Sequence, residues 1–231
     1  MAPAPACSES TNEVPAEGAR VALRMAVPDR VREREWRACG FRRVAGVDEV
    51  GRGPIAGPVV AGAVILPEQG CEDWIARLRD SKLLPAAQRE ELARLIWRDS
   101  AAAAVGAVDA WRVDEIGIAP ASREAMRLAV LALLPAPDAL LLDAFVLPEV
   151  ALPQEAIVKG DRRCCAIAAA SIIAKVARDH MLDDLAHLYP GYGFERHKGY
   201  ATAAHLEALA RLGPAPIHRH SFAPLRPAVS P

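Results

Sequence analysis

Val44-Ala45-Gly46-Val47-Asp48-Glu49-Val50-Gly51-Arg52-Gly53-Pro54-Ile55-Ala56-Gly57-Pro58 is the stretch on which the reading of this chain turns. An apolar run ends in two adjacent carboxylates and passes at once into a glycine-rich turn with a single arginine. Neighbouring side chains on a strand point to opposite faces, so a packed sheet must bury one of these acids. A buried carboxylate is costly unless it finds a cation or a metal. Gly51-Arg52-Gly53 offers unhindered backbone N–H groups and a guanidinium, a pairing suited to phosphate. Acid for a metal beside donors for a phosphate points to phosphodiester chemistry.

Outward from this stretch the chain reads as alternating strands and helices. Val44–Val50 and Val59–Leu66 are strands joined by the Gly/Pro turn. A short helix is expected before them, from Pro28, with Val31, Trp36 and Phe41 as its apolar contacts. Asp80-Ser81-Lys82 precedes an amphipathic helix over Pro85–Arg98, with proline in the tolerated first turn. Ala101–Val108 is alanine-rich, which favours helix, but its place between two helices favours a strand. Ser122–Leu134 carries helical periodicity and stops at Pro135. Ala139–Leu142 is a short apolar run, typical of a strand covered on both faces, and it ends in Asp143. Ala156–Val158 is a further strand leading into Lys159-Gly160-Asp161. A long helix follows over Cys165–Leu188, ended by Tyr189-Pro190-Gly191. A last helix is expected over Lys198–Leu212. This order predicts an α/β layer fold.

Asp48, Glu49, Asp143 and Asp161 all fall at strand ends or just after them, where α/β sheets gather their ligand crevice. Converging carboxylates repel and raise one another's pKa unless cations neutralise them. Mg²⁺, or Mn²⁺, suits hard oxygen ligands. Two such ions about 4 Å apart can hold both sides of a scissile phosphate.

The Val44–Pro58 string closely resembles the N-terminal signature of ribonuclease HII, the type 2 ribonucleases H. Leu141-Leu142-Asp143 resembles that family's third-carboxylate strand, and Ile157-Val158-Lys159-Gly160-Asp161 its fourth-carboxylate loop. Ala169–Asp179 resembles the long helix that follows, and Tyr189–Thr202 the C-terminal motif. The resemblance implies a ribonuclease H-like fold, a mixed β-sheet flanked by helices, with a helical C-terminal portion. It implies an endonuclease that cleaves the RNA of RNA–DNA hybrids. It also implies nicking 5′ to ribonucleotides in duplex DNA, leaving 3′-hydroxyl and 5′-phosphate ends. Gly51, Arg52 and Gly53 are then expected at the 2′-hydroxyl, and Tyr200 at the ribose of the RNA–DNA junction. An amphipathic helix anchor is the alternative reading of Tyr200. Lys82, Lys159 and Lys198 are expected on phosphates, with solvated surface charge as the alternative for each. His197 is a possible proton shuttle; His218 and His220 are expected in packing or backbone contacts.

The chain departs from the family pattern in a few places. Ala144-Phe145 follow Asp143 where Gly and a polar residue are usual. Gly117 stands where Asn is common, Arg162 where a small polar residue is common, and Ala201 where Gly is common.

The 231 residues, 52% hydrophobic, suit one domain and a tail. The expected division is a disordered tail, residues 1–27, rich in Ala, Pro, Ser and Glu, and a catalytic domain, residues 28–226. The net charge of −1 excludes a global basic field, so a nucleic-acid face must be local. The five cysteines show no zinc spacing and read as reduced thiols, Cys164 and Cys165 as packing. No run reaches the roughly 20 apolar residues of a membrane helix, and no secretory signal is visible, so a cytoplasmic, monomeric enzyme is the expectation, with a sliding clamp as a candidate partner. Ribonuclease HIII, a metal-free binding module and a two-carboxylate glycosidase are the rival readings; the glycosidase leaves the Gly-Arg-Gly turn unexplained.

Overall fold

The computed structural model describes residues 27–225. The expected disordered tail therefore lies outside the described residues, apart from Val27. Helix α1 (Val31–Ala38) leads into strands β1 (Val44–Val50) and β2 (Val59–Ile65). A single helical turn α2 (Glu72–Ile75), a 3₁₀ turn (Ser81–Leu83) and α3 (Ala86–Asp99) follow, then β3 (Ala102–Val108). Helices α4 (Ala110–Ile116) and α5 (Ile118–Leu131) precede β4 (Ala139–Asp143) and β5 (Gln154–Ile157). A second 3₁₀ turn (Gly160–Arg162) opens the long α6 (Cys165–Leu188), and α7 (Phe194–His197) and α8 (Ala203–Leu212) close the described chain.

The five strands form one mixed sheet in the order β3-β2-β1-β4-β5. β1 pairs antiparallel with β2 and parallel with β4, so the two strands bearing acids are neighbours. Strand alternation sends Val44, Val64 and Leu141 toward α6 and α3, while Val47, Ile65 and Leu142 meet α4 and α5. A helix can approach a sheet this closely only where side chains are absent. A Cβ on Gly46 would lie 2.1 Å from the Ala166 carbonyl carbon, and one on Gly62 would lie 2.3 Å from the Ala170 oxygen. The alanine-rich α6 is thereby pressed onto β1 and β2. A smaller cluster of Ala56, Leu182, Tyr192, Phe194, Ala208 and Ala215 ties the C-terminal helices to the Gly/Pro loop after β1.

Several boundaries differ from expectation. The last helix does not start at Lys198: Lys198 (φ 50°) and Gly199 (φ 83°) are both left-handed. The side chain of Thr202 then caps α8 by accepting the His205 amide at 3.3 Å. Tyr200 consequently stands on a loop, which rules out the helix-anchor reading. α5 begins at Ile118 rather than Ser122, because Pro120 is tolerated in its first turn. α4 was not expected; it buries only Ala110 and Val113, too little periodicity to show in the sequence. Gly117, at φ 84° and ψ 162°, ends α4 and begins α5 in a conformation open essentially to glycine alone. β5 runs Gln154–Ile157, and Val158 lies beyond it, 67% exposed. Cys164 and Cys165 are buried and unbridged, as their packing role requires. Among the described residues no helix is long and apolar enough to cross a membrane.

Candidate active site

Val47 pairs with Leu142, so Asp48 and Asp143, the next residues along these parallel strands, leave the ladder side by side on the α6 face. Asp48 is buried, and its Oδ1 accepts the Glu49 amide at 2.8 Å. Glu49 emerges on the opposite face and is held by Arg52 Nη1 at 3.2 Å, yet its buried Oε2 has no partner. Asp143 Oδ1 accepts the Gly160 amide at 2.8 Å, which anchors the 3₁₀ turn carrying Asp161. Lys82 Nζ stands 3.8 Å from Asp161 and 3.7 Å from Asp80.

A cleft of about 280 Å³ is lined by Asp48, Glu49, Asp143, Lys82, Lys175, Tyr200 and the Gly51–Gly53 turn, among others. Asp161 is not part of that lining, but its charge reaches it. Burial drives the Asp48 carboxyl far above the usual carboxylate range, and the charges of Glu49, Asp143 and Asp161 push it further. Burial lifts Glu49 to about 7 despite Arg52. Burial also raises Asp143, against the Gly160 amide, and raises Asp161, helped by Asp80 and Asp143. Among the described residues no three His, Cys, Asp or Glu side chains are already drawn together as a ready-made metal-ligand cluster. The donor chemistry nevertheless fits a divalent cation: mutually repelling hard oxygens, one of them buried and unbonded.

The turn after β1 is held from within. Gly51 has φ 86°, and a Cβ there would strike Arg178 Nε at 2.2 Å. Arg178, fully buried, donates to the carbonyls of Pro58, Ala56 and Lys198 at 2.9, 3.1 and 2.9 Å. Arg219, also buried, donates to the carbonyls of Gly51 (2.7 Å), Arg52 (3.1 Å), Pro54 (2.9 Å) and Gly57 (2.8 Å). With these carbonyls engaged, the amides of Arg52 and Gly53 are left as open donors, since neither donates to any group among the described residues. The Arg52 guanidinium lies 4.8 Å above the Phe145 ring, so the unusual residue after Ala144 props the arginine of the turn.

Tyr200 is 49% exposed, and its ring edge lies 3.8 Å from where a Gly53 side chain would begin. The lysines divide. Lys82 lines the cleft; Lys159, left-handed at φ 55°, is exposed outside its lining. Lys198 is turned away: its Nζ is paired with Asp183 and donates to the Asp179 carbonyl at 3.2 Å. His197 is also committed, with Nε2 2.9 Å from the Tyr192 carbonyl and Nδ1 accepting the Gly199 amide at 3.3 Å. Those bonds occupy both nitrogens a proton shuttle would need. His218 is in packing and backbone contact, and His220 donates its amide to Asp114 at 2.7 Å.

Sequence reasoning passed over Asp80, Lys175, Arg178 and Arg219. Asp80 is buried and accepts from the Lys82 amide (3.0 Å) and from Arg162 Nε and Nη2 (3.0 and 2.8 Å). Burial opposes its charge, but these donors prevail and hold its carboxyl below the usual range. Arg162, unusual at its position, thus has a partner waiting. Asp80 was visible in the Asp80-Ser81-Lys82 string; nothing in sequence distinguishes a buried arginine from an exposed one.

Comparison with known proteins gives the family and the fold. The family model for ribonuclease HII matches residues 45–225. A ribonuclease HII of Dehalococcoides mccartyi is 50% identical over 199 residues, covering 86% of this chain and 94% of the relative. That of Bacillus subtilis is 53% identical over 194 residues, covering 84% and 74%. The crystal structure of ribonuclease H2 from Pyrococcus horikoshii superposes with TM-score 0.67 at 29% identity, covering 80% of this chain and 96% of that one. Ribonuclease HII in the PCNA complex from Archaeoglobus fulgidus gives TM-score 0.61 at 30% identity, with 74% and 88% covered. The chain belongs to the ribonuclease HII family, hydrolases that cleave the RNA of RNA–DNA hybrids.

Proposed function

We propose that this enzyme also nicks duplex DNA 5′ to an embedded ribonucleotide, leaving 3′-hydroxyl and 5′-phosphate ends, with two divalent ions held by Asp48, Glu49, Asp143 and Asp161. The observation that carries the reading is a juxtaposition within one cleft. The open amides of Arg52 and Gly53 and the ring of Tyr200 lie beside acids that cannot all ionise unaided.

Mg²⁺ or Mn²⁺, when bound, supplies the charge that lets these acids ionise together and polarises water and phosphate. The protein's own groups do the rest. The amides of the Gly51–Gly53 turn donate to the 2′-hydroxyl oxygen, the one atom that separates RNA from DNA at that sugar. Tyr200 packs on the ribose with its hydroxyl toward the same atom. Lys82 meets the phosphate backbone, and Lys159 meets it further out. Ser81, the cleft hydroxyl nearest Lys82 in sequence, is buried and bonded to Ser171 Oγ at 3.0 Å. Water is the nucleophile in this reading, attacking phosphorus in line as the bond to the leaving 3′-oxygen breaks, with no covalent enzyme intermediate.

Residues 28–226 act in this reading as a single catalytic unit, monomeric and cytoplasmic. A sliding clamp is a candidate partner, since the A. fulgidus relative was solved in a complex with PCNA. The test is digestion of one DNA duplex with and without a single ribonucleotide, in Mg²⁺ or in chelator. Wild type should nick only the ribonucleotide duplex and only with metal; Asp143→Asn should fold and fail to nick. Full turnover by Asp143→Asn would refute the carboxylate assignment, and binding without cleavage by wild type would favour a non-catalytic module.

A further inference from the structure

Ala215–Phe222 touches both halves of the sugar-reading surface. On one side, Arg219 grips the carbonyls of the 51–57 turn, the Arg219 amide donates to Ile55 O at 2.8 Å, and Gly57 donates to Ile217 O at 2.9 Å. On the other, His218 begins a run of hydrogen bonds that ends on the backbone of Tyr200.

The protons in that run follow from its far end. The Tyr200 carbonyl can only accept, so His205 Nδ1, 2.8 Å away, carries the hydrogen. Neutral His205 then has a lone pair on Nε2, which lies 3.1 Å from His218 Nε2. His218 must therefore donate from Nε2 and keep Nδ1 unprotonated. Its Nδ1 sits 2.9 Å from the Ala215 amide and 3.1 Å from the Ala215 oxygen, and the amide supplies the matching donor. Each link from the Ala215 amide through His218 and His205 to the Tyr200 carbonyl then carries one hydrogen, and both rings are neutral. The surroundings favour that state. Burial lowers His205 to about 4 and lowers His218, with the neighbouring His197 and His220 adding to the effect. His197 stacks on His205 at 4.2 Å, and Phe194 meets His205 edge-on at 5.4 Å, so the His205 ring is held from two sides.

We propose that His218 and His205 are positioning residues that set the place of Tyr200 relative to the Gly51–Gly53 turn, and so how sharply the cleft distinguishes one embedded ribonucleotide from continuous RNA. The inference rests on the function proposed above. One segment fixes both walls: the turn through Arg219, the tyrosine through the two imidazoles. A continuous hybrid presents a 2′-hydroxyl at every step and tolerates a displaced Tyr200, whereas a lone ribonucleotide offers a single register.

The measurement is kcat/KM on a single-ribonucleotide duplex divided by kcat/KM on a continuous hybrid. His205→Ala should lower this ratio about tenfold, the scale of one lost hydrogen bond. His205→Asn, whose amide can reproduce the Nδ1 donor, should recover most of it. His218→Gln provides a second route if His205→Ala does not fold. In a Tyr200→Ala background none of these changes should lower the ratio further. An unchanged ratio in His205→Ala and His218→Gln, or an equal fall in the Tyr200→Ala background, would overturn the proposal. Failure of wild type to nick the ribonucleotide duplex is a separate result, read first, and it defeats the functional reading together with this inference.

Discussion

The two walls of the cleft solve opposite problems. The acidic wall, from β1, β4 and the Asp161 turn, is unsatisfied: its carboxylates are raised by burial and by one another, and Glu49 Oε2 has no partner. The opposite wall, from the Gly51–Pro58 turn and the C-terminal helices, is nearly saturated. Two buried arginines and a pair of imidazoles spend their donors on carbonyls there. The first wall is built to receive charge from outside. The second is built to stay still. Catalysis by electrostatics needs both, since a preorganised donor costs nothing to arrange at the moment of reaction.

The strongest way to break this contrast is Asp48→Asn. Cleavage should fall roughly a thousandfold or more, about 4 kcal/mol of transition-state stabilisation. In chelator the same variant should melt no lower than wild type, because burial and the neighbouring acids already disfavour the ionised form of Asp48 and asparagine is neutral at every pH. Mg²⁺ should raise the melting temperature of wild type and leave the variant almost unmoved. A variant that melts well below wild type in chelator would show that the acidic wall is satisfied after all.

Arg219→Met tests the other wall. It removes five hydrogen bonds to four carbonyls, Gly57 receiving two, from a buried site and should cost about 3 kcal/mol in denaturant unfolding, with metal making no difference to that loss. Loss of less than about 1 kcal/mol would mean that the turn holds itself.

Acidity should separate the walls by sign. Glu49 is raised from 4.5 to about 7 on folding, so its contribution is present below 4.5 and lost as pH rises through 7. In chelator, the stability of Glu49→Gln relative to wild type should therefore grow across that window. His205 is lowered from 6.5 to about 4, so its contribution is present above 6.5 and lost as pH falls toward 4. The stability of His205→Asn relative to wild type should grow in the acid direction. Parallel curves for the two variants would erase the distinction.

The smallest effect sharpens the acidic side. Ala144, directly after Asp143, is left-handed at φ 60°, where a glycine would be at ease. Ala144→Gly should relieve about 1 kcal/mol, worth roughly 2–4 °C in melting temperature for a domain of this size. No gain would place the strain elsewhere.

Much of this was open to reading in the linear chain. β1, β2 and β4 are short apolar runs bounded by glycine, proline and acids, and their periodicity and termini speak through local chemistry alone. Asp48, Glu49 and Asp143 were found the same way, at strand ends. Beside Tyr200 in sequence, Lys198 looks like a phosphate ligand; that Asp183, on α6, pairs with its ammonium is visible only in the fold. His197 was misjudged because both ring nitrogens are consumed by backbone groups whose positions depend on two consecutive left-handed residues.

What the sequence determined by itself was the five strands and the longer helices between them, the acids at strand ends and the glycine-bearing turn, because each follows from neighbours within a few residues. What only the tertiary structure decided was which charges are satisfied. Arg178 and Arg219 reach carbonyls more than a hundred residues away in the chain, and His218 reaches Tyr200 through His205. Burial and partnership arise when distant segments pack, and a charge or an imidazole takes its meaning from what lies around it.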